Sequence, residues 1–250
     1  MRHWIPQQHG AWAMVIVPFL IGLLRALSAG ATGWGHLTLG LFWLLGYFSF
    51  HAASGWLKSS ARQKPKYLRP LIVYGGVSAL LGLATLALAG LRILPWAGAF
   101  LPLVLPALWL AAKRKERATV GGLLTVIAAA LMLPVARYLY PSSWADWPNI
   151  LAETGLVFGY FFGTVLFVKT NIRERGSRAF LMASIGWHAL LLAAAAAAGW
   201  LGLVSWGWTG IAAVVLLRAV VLPPMRLRPK TIGFLEIVVC VGIAVLALTG

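Results

Sequence analysis

Along its 250 residues the chain alternates long apolar runs with short basic interruptions. Runs of about 20 hydrophobic residues recur from end to end, each long enough to cross roughly 30 Å of hydrocarbon as a helix. They predict nine helices, at about 10–29, 36–57, 71–90, 93–112, 119–138, 149–168, 179–198, 203–222 and 231–249. No run alternates polar with apolar positions as a barrel strand would, and a bilayer admits little else. The fold class expected is therefore all-α: a polytopic membrane bundle of about nine transmembrane helices, forming a single integral membrane domain over 1–250. Pro18, Pro102, Pro106 and Pro134 fall inside predicted helices, which a membrane tolerates where neighbours re-satisfy the freed backbone groups. The first run loosely imitates a signal peptide, with Arg2 before it and Ala29-Gly30-Ala31 after it. Pro18 and Arg25 interrupt it, so we read it as a retained first helix.

Composition agrees with the pattern. Hydrophobic residues make up 61% of the chain and charged residues only 10%, against about a quarter charged in soluble domains. The placement of the cations then supplies a topology. Lys58, Arg62, Lys64, Lys66 and Arg69 follow helix 2, and Lys113, Arg114, Lys115 and Arg117 follow helix 4. Lys169, Arg173, Arg175 and Arg178 follow helix 6, while Arg218, Arg226, Arg228 and Lys230 end or follow helix 8. With Arg2, all but Arg25, Arg92 and Arg137 of the 21 basic residues fall on one side. The positive-inside rule makes that side cytoplasmic, with the N-terminus inside and the C-terminus external. The opposite side carries Tyr138, Tyr140, Trp144 and Trp147 in one loop and Trp200, Trp206 and Trp208 in another, as an interfacial aromatic belt would. The net charge of +16 is thus explained by juxtamembrane loops and anionic lipid, and no nucleic-acid partner is expected. Cys240 is alone, so neither a disulfide nor cysteine metal ligation is predicted.

Three polar segments stand out, all on the predicted cytoplasmic side: Gln7-Gln8-His9-Gly10-Ala11-Trp12, His51 to Lys58 with Tyr67-Leu68-Arg69-Pro70, and Lys169 to Gly176. The His9-Gly10-Ala11-Trp12 start with Pro18-Phe19, and the segment Lys169-Thr170-Asn171-Ile172-Arg173-Glu174-Arg175-Gly176, resemble the YwiC-like family of bacterial membrane proteins. That resemblance covers essentially the whole chain and implies a location and a fold, not an activity. The layout is also similar to that of the UbiA superfamily of intramembrane prenyltransferases, which carry aspartate-rich motifs after helices 2 and 6. Arg69-Pro70 looks like the Arg-Pro that follows the first of these motifs. This similarity implies a prenyl diphosphate held through Mg²⁺, but no Asp or Glu occurs between residues 1 and 115, and the second loop offers only Glu174. Mg²⁺ needs hard oxygen ligands, usually one or two of them carboxylates. Aspartate-type, Mg²⁺-dependent prenyl transfer is accordingly not expected, and neither a metal nor another cofactor is predicted.

Helical geometry puts basic residues where such acids would stand. His51, Ser54, Gly55, Lys58 and Arg62 fall within about 60° of His51 on one stripe if helix 2 continues that far. Lys169 and Arg173 also share a face. The candidate ligand-binding residues are His9, Trp12, His51, Lys58, Arg62, Arg69, Lys169, Arg173 and Arg175, forming a cytoplasmic site for the headgroup of an anionic lipid or an isoprenoid phosphate. His188, about 13 Å into helix 7, is an intramembrane candidate, although a neighbouring carbonyl satisfies most such histidines. Glu236 is expected to pair with Arg228 or Lys230. Four readings of function stay open: lipid or isoprenoid binding, small-solute transport, an atypical UbiA-like prenyltransferase, and a structural or partner-binding membrane protein.

Overall fold

The structure is a computed structural model that describes residues 4–6, 9–115, 118–225, 227 and 229–249. Nine α-helices and no strand occur among the described residues: α1 (His9–Ser28), α2 (Gly35–Lys58), α3 (Lys64–Ala89), α4 (Leu94–Ala112), α5 (Thr119–Arg137), α6 (Trp147–Ile172), α7 (Arg178–Trp200), α8 (Gly207–Val221) and α9 (Pro229–Thr249). Seven of them, α1 to α7, are long and apolar enough to cross a bilayer. Large apolar side chains such as Leu80, Leu105 and Leu190 point outward along these helices, as Ile237 does on α9. Lipid solvates such a surface, whereas water would drive its burial. The protein is a helical membrane bundle.

Several helix ends differ from expectation, each for a local reason. α3 begins at Lys64, so Arg69-Pro70 lies within a helix and not in a loop. Pro65 occupies its first turn, where a missing N–H costs nothing, and Pro70 frees only a carbonyl near the exposed Lys66. α6 continues to Ile172, and within its last turns Thr170 and Asn171 satisfy their side chains on Leu166 O and Phe167 O, at 2.9 and 2.8 Å. α8 is shorter than predicted, 15 residues from Gly207. The chain before it turns at Gly202 (φ 68°), a left-handed conformation that favours glycine.

The chain sorts into two compact units, Met1–Ser142 and Ser143–Gly250. In the first, α2 packs along α3 and α1 along α5, with α4 against α5 and α2. Gly22 lets α1 approach the backbone at Leu133 so closely that no Cβ would fit. Leu39, Ala89, Met132, Val135, Ala136 and Leu139 form a core, covered by Phe19, Trp43 and Phe100. His36 on α2 bonds through Nε2 to Ala136 O at 2.9 Å, and the Tyr140 hydroxyl accepts from Gly35 N at 3.0 Å. In the second unit α6 is largely buried, and α7, α8 and α9 pack around it. Phe167, Ala219 and Ile232 meet in the core of this unit.

Candidate functional site

Two kinds of polar arrangement emerge, one in each unit. In the first unit the basic residues gather at one end. Lys58 closes α2, and Ser59 leaves the helix in an extended conformation (φ −81°, ψ 150°). The predicted stripe is therefore cut at Lys58, and Arg62 stands on the turn before α3 rather than on the α2 face. Ser59 explains the stop: its hydroxyl bonds back to Gly55 O at 2.6 Å, competing with further helix. Arg62 and Arg69 are exposed, and Lys64 lays its ammonium 4.4 Å over the Trp56 ring.

The α4–α5 connection reaches this same end. Arg114 Nη2 donates to Lys58 O at 3.2 Å, bringing Lys113, Arg114 and Lys115 beside the cations that follow α2. Arg114 holds a left-handed backbone (φ 57°), the one such non-glycine conformation among the described residues. It stands just past the α4 C-cap, where glycine is usual because a Cβ costs roughly 1–2 kcal/mol in that region. Of the remaining candidates here, the His9 side chain lies outside the described residues. Trp12 donates to Pro6 O at 3.3 Å and meets Tyr47 and Phe48 edge-on, at 6.2 and 5.3 Å between centroids. His51 is half-buried on α2, one turn before Gly55.

In the second unit the Lys169–Gly176 segment is mostly committed to its own turn. Besides the back-bonded Thr170 and Asn171, Arg175 Nε donates to Asn171 O at 2.9 Å and Nη2 to Leu227 O at 3.3 Å. Gly176 takes φ 90°, and Ser177 Oγ then caps α7 by accepting from Phe180 N at 3.4 Å. Arg173 is exposed and Lys169 is half-buried on the last turn of α6.

His188 belongs to a different constellation, inside the helices. Its Nδ1 lies 2.7 Å from Ser184 O, one turn back on α7. A carbonyl only accepts, so Nδ1 carries the proton and Nε2 presents a lone pair. Arg218 Nη2 from α8 donates to that lone pair at 3.3 Å, and Arg218 Nη1 forms an ion pair with Glu236 Oε1 of α9. The other carboxylate oxygen, Oε2, accepts from Thr164 Oγ1 at 2.8 Å and Tyr160 OH at 3.1 Å, both on α6. Tyr160 OH also lies 3.3 Å from Cys240 Sγ, and the Phe167 ring sits 4.3 Å beneath the guanidinium. His188 is fully buried, and Arg218 and Glu236 are each 7% exposed. Gly163 makes room for it: a Cβ there would stand 2.9 Å from His188 Nε2.

Among the described residues Glu236 pairs with Arg218; the partners expected from the sequence were Arg228 and Lys230. The side chains of the latter two lie outside the described residues. Sequence reasoning located His188 by its depth but missed Tyr160, Thr164, Arg218 and Glu236 as its companions. Arg218 read as one more cytoplasmic cation, and nothing in the spacing of four separate helices says which faces meet. The available signal was Glu236 itself, a carboxylate within an apolar run, which needs a partner in that setting.

The comparisons with known proteins give the chain a family without assigning it an activity. The YwiC-like protein family model matches residues 5–137, nearly the whole of the first unit. The uncharacterized protein YwiC of Bacillus subtilis is 32% identical over 255 residues, covering 99% of this chain and 98% of that protein. An uncharacterized protein of Haemophilus influenzae is 27% identical over 240 residues, covering 94% of this chain and 93% of the other. No solved structure matches. On a family model spanning more than half its length and a full-length relative, the chain belongs to the YwiC-like family.

Proposed function

We propose that the protein lies in the bacterial inner membrane, N-terminus cytoplasmic and C-terminus external, and binds the phosphate headgroup of an anionic lipid or isoprenoid at its cytoplasmic face. The observation that carries this reading is the Arg114–Lys58 contact. It gathers two basic connections at one end of the first unit, with Glu116 the single acidic residue in the sequence of the two. Guanidinium forks match phosphate oxygens. Arg62 and Arg69 present exposed forks, while Trp12 and Trp56 offer apolar surface for the chain of the ligand. In the second unit Lys169 and Arg173 are a separate candidate of the same kind, while Arg175 is already engaged with backbone.

Binding of the purified full-length protein to vesicles containing anionic phospholipid, and to an isoprenoid monophosphate, tests it. Generic surface attraction contributes about 1 kcal/mol per cation, so the paired change Arg226→Ala/Arg228→Ala sets that baseline. Lys58→Ala/Arg114→Ala should weaken binding well beyond it. A comparable loss from Lys169→Ala/Arg173→Ala would mark a second headgroup contact in the other unit, whereas equal losses from all three pairs would remove the proposal altogether.

A second reading, small-solute transport, is favoured by the buried Arg218–Glu236–His188 constellation, since ionisable groups inside a bundle accompany ion and substrate pathways.

A further inference from the structure

The Arg218–Glu236 constellation carries an inference independent of headgroup binding. Among the described residues, the titratable and charged groups gathered round the Glu236 carboxylate are Tyr160 from α6, His188 from α7, Arg218 from α8 and Cys240 from α9. With neutral His188, Tyr160 and Cys240, the cluster holds one positive and one negative charge and is balanced. Its bonding is nevertheless asymmetric. Arg218 has only donors, so its Nη1 bond depends on an acceptor at Glu236. Thr164 and Tyr160 are hydroxyls and can reverse their roles, accepting from a carboxylic O–H where they now donate to a carboxylate. Tyr160 also has alternative acceptors for its own proton: Cys240 Sγ at 3.3 Å and Glu236 O at 3.4 Å. The α6 side of the site is therefore equipped for both protonation states of Glu236, whereas the charge on the α8 side is balanced in only one, even though Oε1 can still accept from Nη1.

We propose that Glu236 is an intramembrane proton-binding site whose protonation releases the Arg218 guanidinium from α9. The proton goes to Oε2, which then donates to Thr164 or Tyr160. The carboxyl becomes neutral and the ion pair with Arg218 is lost. Arg218 keeps His188 Nε2 and the Phe167 face, which hold no negative charge, and its Nε has no hydrogen-bond partner among the described residues. Its cationic head is then uncompensated in a low-dielectric interior, and α8 must shift it toward water or an anion. His188 cannot take the proton in place of Glu236 without setting a second cation against Arg218. Occupancy of one proton site thereby controls the docking of α9 against α8, which is the coupling that a proton-driven or pH-gated membrane protein requires.

The chain contains its own reporter. Cys240 is its single cysteine, buried beside Tyr160 on the helix that would be released. In full-length protein in lipid nanodiscs at one fixed pH, Glu236→Gln removes the negative charge as protonation does. Alkylation of Cys240 by a membrane-permeant maleimide should then run about tenfold faster or more than in the unaltered protein, since breaking a buried pair from one side is strongly destabilising. The double variant Arg218→Gln/Glu236→Gln removes the stranded cation as well and should restore protection to near the original rate. Infrared difference spectra of the unaltered protein between alkaline and acidic buffer should show a protonated-carboxyl band that is absent from Glu236→Gln. Three results would each overturn the proposal: unchanged alkylation in Glu236→Gln, equal exposure of Cys240 in the single and double variants, or no carboxyl band. Lipid binding at the basic end would be untouched by any of them.

Discussion

At the scale of single residues, the second unit is held by an arrangement that stabilises only as a set. Arg218 joins α8 to α9 through Glu236 and to α7 through His188, while Glu236 reaches α6 through Thr164 and Tyr160. Removing two charges from water is expensive, and their mutual attraction together with good hydrogen bonds roughly offsets that cost. Removing one partner leaves the other buried and unpaired. Arg218→Met and Glu236→Met alone should each destabilise the protein by roughly 3–5 kcal/mol, whereas the double apolar change should be near neutral or stabilising. Thermal unfolding in detergent, followed by circular dichroism, checks the ordering. A double variant as unstable as the worse single one would mean that packing around these side chains, and not charge compensation, holds the helices. His188 shows what a sequence does reveal at this scale. A polar group some nine residues into an apolar helix must be satisfied, and Ser184 O one turn back was the partner its helix could be expected to provide. The bond to Arg218 joins residues 30 apart in sequence and depends on how α7 and α8 are rotated about their axes. Apolar periodicity records that rotation poorly when lipid and neighbouring helices select similar side chains on every face.

At the scale of elements, hydropathy located all nine helices, and the departures concern where they stop. Arg69-Pro70 looked like a break because proline disfavours helix before it, yet α3 starts five residues earlier than that pair. Lys169 looked like the end of α6 because charge marks a membrane surface, yet the helix runs on to Ile172, with the polar side chains of Thr170 and Asn171 satisfied on its own carbonyls. α8 departs most: 15 residues span about 22 Å at 1.5 Å per residue, short of the hydrocarbon thickness, and it carries Arg218 in its last turn. The basic stripe on α2 was legible up to Lys58 and ended there, while the approach of the α4–α5 connection could not be read at all. Arg114 makes that approach at a position suited to glycine, which yields a separable prediction. Arg114→Gly relieves a left-handed backbone worth about 1–2 kcal/mol and removes an exposed bond of modest net value. The melting temperature should hold or rise, while affinity for anionic vesicles falls. A lower melting temperature with unchanged vesicle binding would show that Arg114 serves only to pin α4 against α2.

At the scale of the whole molecule, membrane residence rests on the apolar exteriors of the seven long helices, and orientation in the membrane rests on cation placement. All but Arg25, Arg92 and Arg137 of the 21 basic residues fall at the N-terminus or at the even-to-odd ends and connections. α8 must take part as a crossing element for the alternation to continue to an external C-terminus. The headgroup proposal depends on this orientation, because anionic lipid acts on the cationic ends at the cytoplasmic leaflet. Topology mapping with paired cytoplasmic and external reporters is therefore the most direct measurement. Fusions after residues 66, 115, 176 and 228 should report cytoplasmic, and fusions after residues 144 and 249 should report external. An external signal after 115 or 176, or a cytoplasmic one after 249, would contradict the account.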